Sequence, residues 1–107
     1  MSDVVVTDNP EQTRYEARIG GAIAGFATYS LAGRRIVFSH TEVAESREGE
    51  GVGSALARFA LDDVRDNRKL EVVPICPFIA GWIKRHPAYA AIVTPALRGQ
   101  FEQEVEG

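Results

Sequence analysis

Apolar and polar residues alternate one by one in the first third of the chain. Tyr15, Ala17 and Ile19 are interleaved with Arg14, Glu16 and Arg18. A period of two sets successive side chains on opposite faces, so this stretch predicts a half-buried strand. Gly20-Gly21 predicts a tight hairpin turn after it. Residues 22–31 resume extended character, and Ala32-Gly33 predicts a second turn. Residues 34–43 (RRIVFSHTEV) predict a third strand, rich in β-branched and aromatic residues. Three strands joined by short turns make an antiparallel meander.

The period changes after Val43. Residues 44–51 are polar and carry glycine, which predicts a loop. From 52 to 67, Val52, Ala55, Leu56, Phe59, Ala60 and Val64 fall on one stripe at helical spacing, with Arg58, Asp62, Arg65 and Asp66 off it. Residues 70–75 (LEVVPI) predict a buried strand. A second helix is predicted over 77–86, with Pro77 in its first turn and Pro87 as its stop. Residues 90–93 fit a last strand or a turn. A helix leading from the third strand to the next is a crossover, and a crossover predicts a parallel neighbour. The fold class is therefore α+β, with a mixed sheet.

The 107 residues suit one domain. An apolar share of 45% and a charged share of 25% are those of an ordinary globular chain. Net charge is −3 and scattered, apart from a short acidic end at Glu102, Glu104 and Glu106. No basic block points to nucleic acid. The single cysteine, Cys76, rules out a disulfide within the chain and fits a reducing compartment. No stretch approaches the about eighteen apolar residues of a membrane span, and the first residues carry no signal-peptide pattern. A cytoplasmic protein away from membranes is expected. His40, His86 and Cys76 do not have metal-ligand spacing, so no metal is expected.

Residues 47–57 read REGEGVGSALA, a glycine loop running straight into the strongest helical pattern. The first N–H groups of a helix have no partner within it, and they face outward at the positive end of its dipole. Gly49 through Ser54 therefore suit an anion such as a pyrophosphate. A plain flexible loop is the bland alternative. Known phosphate loops can be compared. A P-loop needs Gly-Lys-Ser/Thr at its end, whereas Gly53 is followed by Ser54 and no lysine precedes Lys69. A dinucleotide loop puts its third glycine where Leu56 stands and needs a longer chain, although Glu71 lies at a tempting distance. A kinase loop fails on length.

Residues 48–53 (EGEGVG) resemble the coenzyme A loop of the GCN5-related N-acetyltransferases. That loop runs Arg/Gln-x-x-Gly-x-Gly/Ala, after a strand and opening a helix. Gly51 and Gly53 match its defining glycines. Glu48 replaces the leading basic residue, and Arg47 lies one position early. With SHTEV (39–43), EGEGVGSAL (48–56) and VVPICPFIAGWIKRHPAY (72–89), the chain resembles the small single-domain Yjdj-type branch of that superfamily, over about residues 12–90. The resemblance implies one domain across 1–107, with a meander followed by a β-loop-α-β-α crossover. It also implies that the N-terminal helices of larger members are missing.

The activity so implied is transfer of an acetyl group from acetyl-CoA to an amine, on a small molecule or a protein. Gly49, Glu50, Gly51, Val52, Gly53 and Ser54 would hold the pyrophosphate. A backbone N–H between Thr41 and Val43 would polarise the thioester carbonyl. Glu42 or His40 would take the amine's proton; a simple ion pair on one strand face is their plain alternative. Cys76 would lie near the thioester, where it accepts the acetyl group, protonates the leaving thiolate, or only packs. Lys84, Arg85 and His86 are candidates for the 3′-phosphate, against a solvated helix end. Tyr89 is a candidate coenzyme contact, and Trp82 is read as core. The alternative function is a catalytically inactive acyl-CoA-binding or protein-interaction domain. The acceptor and the oligomeric state are left open.

Overall fold

Five strands form one sheet in the order β1-β2-β3-β4-β5. They span Val4–Asn9, Arg14–Ile19, Ala22–Ala32, Arg35–Val43 and Glu71–Pro74. β1 to β4 pair antiparallel in chain order. α1 (Val52–Asp63) crosses over from β4, and β5 pairs parallel with β4. α2 (Pro77–Arg85) follows β5, and α3 (Pro95–Arg98) comes last. The computed structural model describes residues 3–101. The acidic end at Glu102, Glu104 and Glu106 lies outside these residues. Among them no helix is long and apolar enough to cross a membrane.

The α+β class, the meander, the crossover and its parallel partner all match the sequence reading. The meander gains β1, whose run of three valines carries no alternation and is ordered by pairing with β2. A 3₁₀ turn at Pro10–Gln12 is all that separates β1 from β2. The long helix keeps its predicted extent, but α1 gives way to a π-helical turn at Val64–Arg68, closed by Lys69 at φ +58°. The ambiguous segment is a 3₁₀ helix at Pro87–Ile92, after which Val93 bridges to Val72.

The core lies between α1, α2 and one face of the sheet. Tyr15, Ala17, Tyr29, Ile36 and Phe38 meet Leu56, Ala60, Leu61, Val64, Ile79, Trp82 and Ile83 there. The buried stripe of α1 is turned from the predicted one. Ala57 and Leu61 are fully buried, whereas Phe59 is 41% exposed. The helix packs against α2 as well as the sheet, and that second contact selects the other flank. Glu16 also departs from simple alternation. It sits on the outer face yet is buried, because Arg14, Arg18 and Asn9 fold over its carboxylate at 2.8, 2.9 and 3.1 Å.

Arg68 pins the far end of α1 to the sheet. It pairs with Asp8 and Asp63 and donates to the Tyr29 hydroxyl. The Tyr15 hydroxyl donates to Asp63 at 2.7 Å. Burial and the Asp8 hydrogen bond push the Tyr29 phenol up to about 12, and burial with Asp63 raises Tyr15 further.

Candidate active site

Two β-bulges decide which side chains face the site. Register on β4 shifts between Thr28 and Tyr29 of β3, because Ser39 is an extra residue. A one-residue insertion exchanges the faces of a strand. Before it, Ile36 and Phe38 face the core and are fully buried. Beyond it, His40 and Glu42 stand on the open face, with side chains 58% and 62% exposed. Their Nε2 and Oε1 atoms are 3.1 Å apart.

β4 and β5 then part. Their ladder ends at Phe38 and Pro74, while β4 continues along β3 to Val43. Two hydrogen bonds cross the base of the wedge between them. The Cys76 N–H donates to the Phe38 carbonyl at 2.8 Å, and the Cys76 thiol donates to Thr41 Oγ1 at 3.3 Å. Cys76 is buried, caps the first turn of α2 and precedes Pro77. Thr41 and Cys76, 35 residues apart in sequence, thus meet at the apex.

The glycine loop borders the same wedge. Gly49 and Gly51 have φ of +88° and +80°, and nothing would obstruct a Cβ at either position. Backbone conformation, not space, demands glycine there. Gly51 caps α1 without any side-chain hydrogen bond. The first helical N–H groups, at Val52, Gly53 and Ser54, are therefore left without side-chain partners. Gly53 differs: a Cβ on it would fall 2.6 Å from the Phe78 ring, which closes over the helix start from α2. The Val52 side chain is buried in the core, so that residue offers only its backbone. Glu50 pairs with Arg47 at 3.5 Å.

Trp82 connects this loop to the end of α2. Its indole N–H donates to Ser54 Oγ at 3.0 Å, which leaves the Ser54 hydroxyl proton free to donate. His86 stacks on the same indole at 3.8 Å, with Nδ1 2.8 Å from the Trp82 carbonyl. The Arg58 guanidinium lies 5.3 Å from the ring centre. Arg58 was not among the residues singled out from sequence; its place one turn beyond Ser54 is the signal that could have found it. Lys84 stands over Phe101, 5.7 Å from the ring centre. Arg85 is exposed on α2 beside Gly81. Tyr89 is largely buried; its ring packs on Trp82 and its hydroxyl donates to Asp62 at 2.6 Å. Burial and that carboxylate raise its pKa, so it stays a phenol.

The Thr41–Cys76 contact, the uncapped start of α1 and the cluster around Trp82 make up the candidate site. The sequence model described as GCN5-related N-acetyl-transferase matches residues 14–93, which include all of it. The chain belongs to the GCN5-related N-acetyltransferase family. No curated protein matches it significantly in sequence. In structure it is similar to the ribosomal-protein-alanine N-acetyltransferase from Brucella melitensis biovar Abortus 2308, with a TM-score of 0.55 at 14% identity. The match covers 99% of this chain and 98% of that one. This likeness extends the family's fold across the described residues, β1 included.

Proposed function

We propose that this GCN5-related chain, as a member of the small Yjdj-type branch, transfers an acetyl group from acetyl-CoA to an amine. The parting of β4 from β5 beside an uncapped helix start carries the reading. It would give a slot for an extended thioester arm and a cradle for the diphosphate behind it. Backbone N–H groups of Gly49 to Ser54, with the Ser54 hydroxyl, would hold the diphosphate. Arg58, Arg85 and His86 would meet the 3′-phosphate. Lys84, whose ammonium stands over Phe101, is a further candidate for that phosphate, and Tyr89 would support the Trp82 platform.

At the apex, a backbone N–H between Thr41 and Val43 would receive the developing oxyanion. One such donor is worth about 3 kcal/mol of barrier. Glu42, with His40 beside it, would take the proton from the incoming amine. Cys76, in contact with Thr41, would serve as an acetyl carrier. Its sulfur would attack the carbonyl carbon, the thioester C–S bond would break, and coenzyme A would leave with the cysteine's proton. The amine would then attack the acetyl-cysteine and regenerate the thiol. Direct attack by the amine uses the same groups, with Cys76 as proton donor to the leaving thiolate. Intact mass of the acid-quenched protein separates the two routes. A hydroxylamine-sensitive acetyl adduct that is absent in Cys76→Ala supports the carrier.

Calorimetric titration with acetyl-CoA and with coenzyme A, on the wild type and on Gly51→Val/Gly53→Val, tests the reading as a whole. Saturable binding lost in the double variant supports it. A wild type that binds neither ligand removes it. Binding without thiol release in the presence of any amine favours the inactive acyl-CoA-binding alternative.

A further inference from the structure

The open face of the sheet carries a second feature beside the wedge. β3 pairs with β2 through a bulge: Gly25 meets Ala17 and Ile23 meets Arg18, so Ala24 is left over. The extra residue puts Ile23 and Phe26 on the same face, three positions apart instead of two. A hollow of about 200 Å³ opens where a side chain would otherwise stand. Ile23, Phe26 and Ala44 line it, and Glu42 borders it directly across the ladder from Phe26. Ile23 is 42% exposed, a large apolar side chain facing water.

Its polarity is one-sided. Glu42 is the one charged lining residue. Arg14 and Arg18 are both engaged by Glu16, at 2.8 and 2.9 Å, with the Arg14 guanidinium 4.5 Å from the Phe26 ring centre, and His40 pairs with Glu42 at 3.1 Å. Thr41, adjoining Glu42 in the chain, touches Cys76 at the apex. The helix face is closed by α1 and α2, so the open face is the side from which a second substrate can reach the apex.

Resting on the acetyltransfer reading, we propose that this hollow is the acceptor site. It selects a primary amine on an unbranched aliphatic stem, as at the end of a lysine side chain or in a free alkylamine. The methylenes lie between Ile23 and Phe26, and the ammonium comes to rest against Glu42 before it loses its proton. A short polar amine fills none of the apolar space.

Thiol release from acetyl-CoA is measured with n-pentylamine, Nα-acetyl-lysine methylamide and glycinamide. Both stemmed amines are expected to exceed glycinamide by about tenfold or more in kcat/KM, the scale of discrimination that an apolar pocket gives. Ile23→Asp should raise KM for both about tenfold and leave the calorimetric affinity for acetyl-CoA unchanged; Ile23→Thr gives a smaller shift of the same sign if the aspartate impairs folding. Preference for the lysine derivative points to a peptide acceptor, and preference for pentylamine to a free one; both uphold the proposal. Equal use of glycinamide, turnover of none of the three by a protein that binds acetyl-CoA, or an unmoved KM in both variants overturns it. Failure of acetyl-CoA to bind at all is a different result, which removes the acetyltransfer reading beneath it.

Discussion

At the scale of single residues, Ser54 links stability to the site. Its oxygen is the acceptor for the indole N–H of Trp82, a side chain only 1% exposed. A buried donor stripped of its partner costs about 1–3 kcal/mol. Ser54→Ala should lower stability by that amount with no ligand present, read as a shift in the urea midpoint, and should also weaken coenzyme binding. Ser54→Thr keeps the oxygen and should restore most of the stability. Equal stability of Ser54→Ala and wild type would mean the indole finds another acceptor. Glu48 makes the opposite case. It follows the 3₁₀ turn at Glu45–Arg47 in extended conformation and adds negative charge where a diphosphate would lie. Glu48→Arg should tighten coenzyme A binding about three- to tenfold at low ionic strength, with the gain shrinking as salt is added. An unchanged affinity would show that the diphosphate does not reach this end of the loop.

Elements explain the pH dependence. Hydrogen bonding from Arg14, then Asn9 and Arg18, holds the Glu16 carboxyl of β2 below its ordinary value of 4.5, outweighing burial. Asp63, at the end of α1, loses ground to desolvation but is carried below 3.8 by Asn67, Tyr15 and Arg68. A depressed carboxylate binds its proton less tightly folded than unfolded, so its stabilisation is complete above the unfolded value and lost as pH falls through the folded one. Stability by urea titration should therefore hold from pH 7 to about 5 and fall steeply below about 4.5. Glu16→Gln and Asp63→Asn should each flatten that fall; an identical acid limb in both would mean these carboxylates are not its source. These same elements mark what could be read in advance. The Gly20-Gly21 hairpin, the α1 pattern and the Pro77–Pro87 frame are local signals, and each produced its element. The bulges at Ala24 and Ser39 are invisible locally, because they exist only as mismatches between paired strands. So is the burial of Glu16, which three side chains from two strands bring about. The loop and Cys76 stood out by composition; the meeting of Cys76 with Thr41, and of Ser54 with Trp82, needed the whole fold.

For the whole molecule, the wedge is where β4 and β5 stop pairing, between residues 39–43 and 75–78. β1 to β4 stay paired through the two bulges and are tied to the end of α1 by Arg68. A ligand lying in the wedge would bond to backbone that the ladder leaves free, and would join the two halves. Stabilisation follows from mass action, about 2.7 kcal/mol at one hundred times the Kd. Its distribution is the more telling quantity. Amide hydrogen exchange with saturating coenzyme A should slow most at residues 41–44, 49–54 and 75–78. β1 and β2 should change only as far as their exchange requires global unfolding, because local opening reports local contacts. Protection spread evenly over all five strands would place the ligand elsewhere or imply that it merely stabilises the fold. Protection at the loop without protection at 75–78 would mean that the diphosphate binds while the thioester arm stays outside the wedge, and the chemistry proposed for Thr41 and Cys76 would then lose its substrate.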